Sequence, residues 1–434
     1  MSFYDWAKTP PMGWNSWDCY GANVTETEVK ANADCMAAVL KQYGWEYIVV
    51  DIRWFVGNQT SGDYNQTNPV YTMDEWGRYL PAVSRFPSSA DGAGFRPLAD
   101  YVHAKGLKFG IHIMRGIPVQ AVNNKLPVKG TDGITADQIY SASGQCTWLR
   151  DNYTIPADKP GAGEYYNSIF ELYASWGVDY IKVDDLSRPY HKAEIELIRG
   201  AIDRAGRAIV FSTSPGETPV GEAEHIKNHA NMWRMVDDFW DRWDHVAHEF
   251  DVCKNWAPHI GAGRWPDADM IPFGSINLRG LQPGGPRQTR FTPDEQYTVM
   301  SLFIMLRSPL MFGGNLPDND DFTNSLITNP EALYISKSSK NNRELLNENG
   351  IIAWAADDTQ SEDKFLALFN TGGEDGGGRA VSFDLSRLGV TGKAVIRDLW
   401  KKQDIGCFAG TDFAPEINPH GAGLYRLSEI SKTA

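Results

Sequence analysis

Short runs of β-branched and other apolar residues alternate with longer amphipathic segments from the N-terminus to about residue 335. Apolar runs of four to eight residues are typical of buried strands, and an apolar period of three to four is typical of helices. Eight strands are predicted: Met12–Asn15, Tyr47–Trp54, Leu107–Ile113, Val178–Asp185, Ala208–Ser214, Met232–Asp238, Trp265–Ile271 and Leu310–Asn315. The helical period between them is clearest over 25–42, 96–105, 163–176, 193–205 and 293–306.

Eight such strand–helix units predict an α/β fold of the (β/α)₈ barrel type. A doubly wound sheet shows the same alternation, but no G-x-G-x-x-G motif follows the first strand to favour it. The segment 116–162 separates the third strand from its helix by more residues than such a loop usually has. Barrel active sites are built from these loops, so the insertion is predicted to form a lid or a subsite wall, or else only structural padding.

From about Glu344 the apolar residues recur at every second position, in short runs that are separated by turn residues. This pattern predicts an antiparallel β domain. We therefore divide the chain into a barrel over 1–335 and a C-terminal antiparallel β-sandwich domain over 343–434. The polar segment 336–342 is the predicted boundary.

Composition narrows the classes of partner. The net charge of −14 argues against a nucleic-acid partner or an anionic membrane surface, and no apolar stretch approaches the ~20 residues that cross a bilayer. The five cysteines are scattered without a C-x-x-C pair, which favours free thiols in a reducing compartment. With no apolar signal segment at the start, we expect a cytoplasmic protein that binds a small molecule or an oligosaccharide. The oligomeric state is left open.

Polar residues collect at the predicted strand ends, where a barrel carries its catalytic groups. They are mostly carboxylates, joined by tryptophan and a few cations: Trp17, Asp51, His112, Lys182, Asp184, Asp185, Ser214, Arg234, Asp237, Asp238, Asp267 and Asp269. Aromatic faces cover the C–H surface of a pyranose ring while charged groups hydrogen-bond its hydroxyls. The pattern predicts a sugar pocket.

Strand alternation selects two of these carboxylates, because residues two apart share a face. Lys182 and Asp184 share one face of the fourth strand, and the cation would keep the carboxylate ionised. On the sixth strand, Arg234 and Asp238 share a face. Two such carboxylates permit glycoside hydrolysis, one attacking the anomeric carbon and the other protonating the leaving oxygen. For any single Asp, a helix cap or an Arg pair is the competing explanation.

The remaining candidates each have a structural alternative. His112 stands alone on an apolar strand without a second histidine at ligand spacing, so neither a metal nor any other cofactor is assigned. Asp267 and Asp269 could be turn residues or could bind hydroxyls at the barrel mouth. Trp17 lies further along the chain than Trp14, so of the two it is the predicted ligand contact.

Several motifs occur together in a recognisable order: TPPMGWNSW at 9–17, IKVDD at 181–185, WRMVDDFWDRW at 233–243 and WPDADM at 265–270. Together they resemble glycoside hydrolase family 27, the α-galactosidase and α-N-acetylgalactosaminidase family. The resemblance runs through the C-terminal domain. It implies a (β/α)₈ barrel followed by an antiparallel β domain, and retaining double displacement without a cofactor.

The resemblance also implies roles for individual residues. Asp184 matches the family nucleophile, and Asp238 matches its acid/base residue. The positions that contact the sugar in the family hold Trp17, Asp51, Lys182, Arg234 and Asp269, with His112 in place of a tyrosine. Ser214 stands where the galactosidases have a Glu and the N-acetylgalactosaminidases a Ser.

The family's galactosidases bind the 4- and 6-hydroxyls with two adjacent Asp on the second strand, and here the second is Ile52. Pro215 and Glu217 also depart from the family pattern. The first expectation is a retaining exo-glycosidase for terminal α-linked galactose or N-acetylgalactosamine. The alternatives are a β-L-arabinopyranosidase, an enzyme for isomaltose units of dextran, and a barrel that binds sugar without hydrolysing it.

Overall fold

The computed structural model describes residues 2–64, 68–372 and 377–430. The strands up to residue 312 are β1 Met12–Asn15, β2 Tyr47–Val50, β3 Lys108–Met114, β4 Ile117–Pro118, β5 Asn152–Tyr153, β6 Tyr180–Asp184, β7 Val210–Thr213, β8 Met232–Arg234, β9 Trp265–Asp267, β10 Met270–Ile271, β11 Ser275–Ile276, β12 Arg287–Gln288 and β13 Leu310–Phe312. The α-helices are α1 Trp17–Tyr20, α2 Glu26–Cys35, α3 Arg96–Ala104, α4 Val119–Asn123, α5 Ala136–Ile139, α6 Ala162–Trp176, α7 Lys192–Arg204, α8 Ala223–Lys227, α9 Trp243–Trp256, α10 Pro293–Leu306, α11 Asp321–Ile327 and α12 Pro330–Ser338.

The parallel sheet closes into a barrel. Its hydrogen-bonded order is β10, β13, β1, β2, β3, β6, β7, β8, β9. The two ends of this order, β9 and β10, are separated in the chain by Ala268 and Asp269 alone, so the sheet returns to its starting point. The predicted barrel is confirmed. The seventh predicted strand is split in two, because Asp269 has a positive φ of 79° that strand geometry does not allow.

Side-chain alternation sorts the strands into an inner and an outer layer. On β2, Ile48 and Val50 pack outward in the main core, whereas Tyr47 and Val49 pack in a separate cluster inside the barrel. On β6, Ile181 and Val183 also face outward, and Tyr180 faces inward. Lys182 and Asp184 alternate in step with Tyr180, so they point into the barrel.

Several predicted strands run too long at their carboxyl ends. The second ends at Val50 and the sixth at Arg234, so Asp51 and Asp238 lie in loops. The apolar pattern continues past both ends because Ile52, Met235 and other loop residues are buried without belonging to the ladder. Arg234 and Asp238 therefore do not share a strand face, and that prediction is wrong.

The C-terminal unit is an antiparallel sheet with a small second layer. Its strands are β14 Ser339–Glu348, β15 Ile351–Asp358, β16 Lys364–Asn370, β17 Arg379–Ala380, β18 Ala394–Asp398, β19 Gln403–Phe408, β20 Glu416–Ile417 and β21 Ala422–Glu429. The six-stranded sheet has the order β14, β15, β16, β21, β18, β19, and β17 pairs with β20. The segment 336–342, predicted as a polar boundary, holds the end of α12 and the start of β14.

The two faces of this sheet belong to different cores. Trp354 and Phe369 pack with the barrel helices, and the Phe369 ring lies 5.0 Å from that of Phe250 on α9. Ala355 and Leu368 point the other way, into the core that the sheet shares with the β17–β20 layer. The sheet thus stabilises the barrel by covering an apolar helix surface.

Among the described residues, no helix combines the length and apolar character needed to cross a bilayer.

Candidate active site

A cavity of about 420 Å³ opens at the carboxyl ends of the barrel strands. It is lined by Trp17, Asp51, Ile52, Tyr64, Thr147, Trp148, Lys182, Asp184, Asp185, Arg188, Pro215, Gly216, Asp237 and Asp238. A smaller recess beside it is bordered by Arg234 and Asp269, together with Trp17, Lys182 and Asp238. The cavity is therefore rich in carboxylates, has two cations and is walled by aromatic rings, as a pyranose site requires.

Strand β6 brings a cation and a carboxylate to the cavity from one inward face. Lys182 Nζ lies 4.0 Å from Asp184 Oδ1 and 3.0 Å from Asp51 Oδ2. Burial alone would lower the pKa of Lys182, but Asp184 and Asp51 outweigh it and hold that pKa above its usual range. The ammonium group stays charged and counters the negative potential of both carboxylates.

His112 lies behind Asp184 on the neighbouring strand β3. Its side chain is fully buried, and its Nε2 lies 2.8 Å from Asp184 Oδ2. The other carboxylate oxygen, Oδ1, is buried and has no hydrogen-bond partner among the described residues. A buried carboxylate oxygen normally has a partner. Asp184 thus lies against His112 on one side, and its residue forms part of the cavity lining.

Asp51 lies just past the end of β2, where Lys182 and two hydrogen bonds hold its side chain. Its carboxylate accepts hydrogen bonds from Asn15 Nδ2 at 2.7 Å and from the backbone N–H of Ile52 at 2.7 Å. Burial would raise the pKa of Asp51, but Lys182 and His112, with these two hydrogen bonds, lower it to about 2. An ionised, immobile acceptor at this point suits a sugar hydroxyl.

Arg234 organises the opposite side of the cavity. Its guanidinium donates to Asp238 Oδ1 at 3.2 Å and to Ser214 Oγ at 3.2 Å, and lies 2.7 Å from Asp269 Oδ1. The Asp238 side chain is half exposed at 52%, whereas Asp269 is buried. Asp238 can therefore exchange a proton with a ligand or with water while Arg234 sets its orientation.

Asp269 combines backbone strain with an unusual charge state. Its left-handed backbone turns the carboxylate toward Arg234 and the Phe239 N–H, which donates to Oδ2 at 2.8 Å. Burial raises the pKa of Asp269, and Asp238 and Asp267 add to the rise, so that it reaches about 7 despite Arg234. This carboxyl titrates in the neutral range.

Replacing Asp269 with asparagine should flatten the pH dependence of stability. The folded pKa of about 7 lies above the usual 3.8, so the folded protein holds the proton more tightly and wild-type stability falls as pH rises from about 4 to 7. The variant cannot titrate there. The free energy of unfolding of the variant minus that of the wild type should therefore increase by a few kcal/mol, at most ~4, from pH 4 to pH 8. Urea unfolding at several pH values measures this difference, with the exposed Asp244→Asn as control; parallel curves for Asp269→Asn and wild type would contradict it.

Loops from distant parts of the chain build the aromatic wall. Tyr64 follows β2 and stacks on Trp17, with ring centroids 5.7 Å apart. Trp148 comes from the long insertion and lies 5.6 Å from Tyr64. Buried Arg53 joins the two loops, because it donates to the Tyr64 carbonyl at 2.8 Å and to Asp151 Oδ2 at 3.0 Å. One ion pair thus holds the insertion against the loop after β2.

Comparisons with known proteins are consistent with this site. A sequence profile described as α-galactosidase A matches residues 9–122 and 139–338, and one described as the α-galactosidase C-terminal β-sandwich domain matches 348–427. The structure of a family 27 β-L-arabinopyranosidase from Geobacillus stearothermophilus, in complex with arabinose, has 49% sequence identity and a TM-score of 0.96. That similarity covers 99% of this chain and 100% of the other.

The chain belongs to glycoside hydrolase family 27. The predicted family is confirmed, and with it the expectation of a glycoside hydrolase.

Two further relatives carry different names. A Bacillus halodurans protein, provisionally named an α-N-acetylgalactosaminidase, is 47% identical with a TM-score of 0.87, over 97% of this chain and 98% of that one. An α-galactosidase A from Cellvibrio japonicus is 30% identical over 78% of this chain and 69% of its own length. The family membership therefore leaves the sugar undetermined.

The structure brings most of the predicted site residues together. Seven of the candidates line the cavity itself: Trp17, Asp51, Lys182, Asp184, Asp185, Asp237 and Asp238. Arg234 and Asp269 border the adjoining recess. His112 and Ser214 are not among the lining residues of either space; both are buried, and they contact Asp184 and Arg234 respectively. Trp14 is buried in the core, where it donates to the Gly314 carbonyl.

Sequence reasoning missed Tyr64 and Arg188, which line the cavity from loops. Arg188 forms a bidentate ion pair with the Asp237 carboxylate, at 2.7 and 3.0 Å, and both residues line the cavity. A loop has no periodic pattern, so the sequence carries no signal for either residue. The signal for Trp148 was the unusual length of the insertion that contains it.

Proposed function

We propose that this family 27 enzyme is a retaining exo-glycosidase that removes terminal β-L-arabinopyranosyl groups. The observation that carries the proposal is Ile52 on the cavity wall, directly beside Asp51. The 49% identity to an enzyme named β-L-arabinopyranosidase supports it. Of the substrates that the sequence left open, a β-L-arabinopyranoside is the one that suits the apolar cavity wall at Ile52.

The two candidate sugars differ at one substituent of the ring. β-L-Arabinopyranose has the ring configuration of α-D-galactopyranose but has hydrogen in place of the C6 hydroxymethyl group. The family's galactosidases bind the 4- and 6-hydroxyls with two adjacent Asp, and this chain has Ile52 in place of the second. Ile52 packs with Ala22, Met114 and Leu149, so it offers a methyl surface without a hydrogen-bonding group. A buried hydroxyl without a partner is unfavourable, whereas a ring C–H against a methyl surface is not.

The roles of the two carboxylates follow from their surroundings. Asp184 attacks the anomeric carbon as Asp238 gives its proton to the glycosidic oxygen, and the bond to the leaving group breaks. Asp238 then takes a proton from water, the water oxygen attacks the anomeric carbon, and the bond to Asp184 breaks. Two inversions give net retention. The buried Asp184 beside Lys182 suits the nucleophile, and the half-exposed Asp238 suits the proton carrier.

The other cavity residues would hold the pyranose ring. Asp51 and Lys182 form an ionised pair that can accept from and donate to ring hydroxyls. Trp17 offers an aromatic face to the C–H side of the ring. Arg234 and Asp269 border the recess beside Asp238. We assign all five to substrate positioning, with His112 and Ser214 acting through Asp184 and Arg234.

The small side chain of Ser214 was the sequence argument for an N-acetylgalactosaminide. The Ser214 hydroxyl accepts a hydrogen bond from Arg234 and is buried, so it presents no open space to the cavity. That geometry gives no reason to prefer a 2-acetamido group. We therefore rank α-N-acetylgalactosaminides and α-galactosides below β-L-arabinopyranosides.

A panel of aryl glycosides tests the proposal: β-L-arabinopyranoside, α-galactoside, α-N-acetylgalactosaminide and α-glucoside. We expect the highest kcat/KM for the arabinopyranoside. NMR of the first product formed should show the anomer of the substrate. A higher kcat/KM for either galacto-configured substrate would contradict the substrate, and the inverted anomer would contradict the mechanism.

Changing Ile52 should move the preference between the two related sugars. We expect Ile52→Asp and Ile52→Asn to raise the ratio of kcat/KM for α-galactoside over β-L-arabinopyranoside by about 10- to 100-fold, because each supplies a partner for the 6-hydroxyl. Ile52→Val is the matched control, since it keeps the apolar wall and should change the ratio far less. An unchanged ratio in both polar variants would show that Ile52 does not set specificity.

A further inference from the structure

We propose that Glu196, His225 and His229 form a binding site for a divalent transition-metal ion of the Zn²⁺ type. One donor atom from each lies within 4.8 Å of the others. Among the residues that the structure describes, this is the group of His, Cys, Asp and Glu side chains close enough to share an ion. None of the three lines the catalytic cavity.

Two neighbouring helices bring the three side chains together. Glu196 lies on α7, and His225 lies on α8. His229 follows α8 within the next turn, four residues after His225, so both imidazoles emerge on one side. Their rings stack with centroids 4.1 Å apart. Histidines four apart on one helical face are a common arrangement for a shared metal ion.

Hydrogen bonds set the tautomer of His229 for metal binding. Its Nδ1 lies 2.7 Å from the backbone carbonyl of His225, and a carbonyl can only accept, so Nδ1 carries the hydrogen. The lone pair is then on Nε2. Metal-bound histidines are characteristically held in this way, with the second nitrogen donating to an oxygen.

His225 has an oxygen partner at each ring nitrogen. Its Nδ1 lies 2.6 Å from the Tyr190 hydroxyl, and its Nε2 faces Glu196 Oε1 at 3.1 Å. The carboxylate can only accept, so without a metal ion Nε2 carries the hydrogen and Nδ1 accepts from the Tyr190 hydroxyl. A metal ion bound at Nε2 would replace that hydrogen, and Nδ1 would then donate to the Tyr190 oxygen. A tetrahedral zinc ion with bonds of about 2.0–2.1 Å holds neighbouring donors roughly 3.3 Å apart. The observed separation therefore fits an ion placed between these two atoms.

The donor set indicates the class of ion. Two imidazoles and one carboxylate suit Zn²⁺, Ni²⁺ or Cu²⁺ and not Mg²⁺ or Ca²⁺, which prefer oxygen ligands. The Glu196 side chain is half exposed and can rotate to complete the site. The nearby ammonium of Lys192 lies 4.0 Å from a Glu222 carboxylate oxygen, which offsets its repulsion of a cation. Three protein ligands leave a fourth position for water.

Equilibrium dialysis of the untagged, full-length protein against ZnCl₂, with metal content measured by mass spectrometry, tests the site. We expect one Zn²⁺ per chain in the wild type. His225→Ala and His229→Ala should each weaken binding more than about tenfold, and Tyr190→Phe by about tenfold because it removes the orienting partner. Glu196→Gln, a surface change that leaves the fold intact, should also weaken it.

His248→Ala, an exposed histidine on α9 outside the cluster, is the matched control and should bind like the wild type. Circular dichroism and hydrolysis of the aryl arabinopyranoside confirm that each variant is folded. Absence of zinc in the wild-type protein would overturn the proposal. So would full occupancy in the His225→Ala, His229→Ala double variant. Neither result bears on the hydrolytic function, which uses other residues.

Discussion

Alanine at position 184 is expected to reduce glycoside hydrolysis by ~10⁴-fold or more while the protein remains folded. Asp184 is the buried carboxylate at the end of β6, 2.8 Å from His112 Nε2 and 4.0 Å from Lys182 Nζ. Without it, no covalent intermediate can form. The measurement is kcat/KM on an aryl arabinopyranoside, with circular dichroism to check the fold.

Two companion variants sharpen this test. Asp184→Asn keeps the shape of the side chain and removes its charge, so it should be as inactive as the alanine variant. Asp237→Asn removes a carboxylate from the same cavity, but one that is exposed and paired with Arg188, and should lose far less activity. If Asp184→Ala retained substantial activity, the nucleophile would have to be sought elsewhere.

Alanine at position 238 should lower kcat/KM by about 10²- to 10⁴-fold, and added azide should restore part of the rate. The reason is that this variant loses proton transfer but keeps the nucleophile. A substrate with a good leaving group still forms the covalent intermediate, and azide needs no deprotonation to attack it. Asp238 is half exposed at the cavity mouth, so a small anion can reach the vacated position.

The anomer of the azide product separates the two assignments. Rescue of Asp238→Ala should give the glycosyl azide with the configuration of the substrate, since two inversions occur. Any rescue of Asp184→Ala should give the opposite configuration, because azide then attacks the substrate directly. The reverse pattern, read by NMR, would mean that the two roles are exchanged.

How far the sequence predicts the site depends on the residue. Asp184 follows from local alternation, since β6 is a regular strand through that residue. Asp238 does not, because β8 ends at Arg234 and the chain reaches Asp238 through a loop. Its prediction depends on the resemblance of the surrounding motif. The same holds for Asp51, which lies one residue beyond β2.

Charge states were even less accessible to sequence reasoning. The pKa of Asp269 rises to about 7 and that of Asp51 falls to about 2, although both are aspartates just past barrel strands. The difference comes from their partners: Asp51 has Lys182 and two close hydrogen bonds, whereas Asp269 has two further carboxylates beside its arginine. Such sums of burial and charge require the positions of groups far apart in the chain.

The sequence by itself determined the order of strands and helices, the barrel, the antiparallel C-terminal unit and the inward face of β6. These follow from periods of two and 3.6 residues, which are local properties of the backbone. Only the tertiary structure decided that Tyr64, Trp148 and Arg188 enclose the cavity and that His112 and Ser214 lie behind it. The enclosing loops are held by long-range contacts such as Arg53 to Asp151, and no local pattern encodes which distant segments meet.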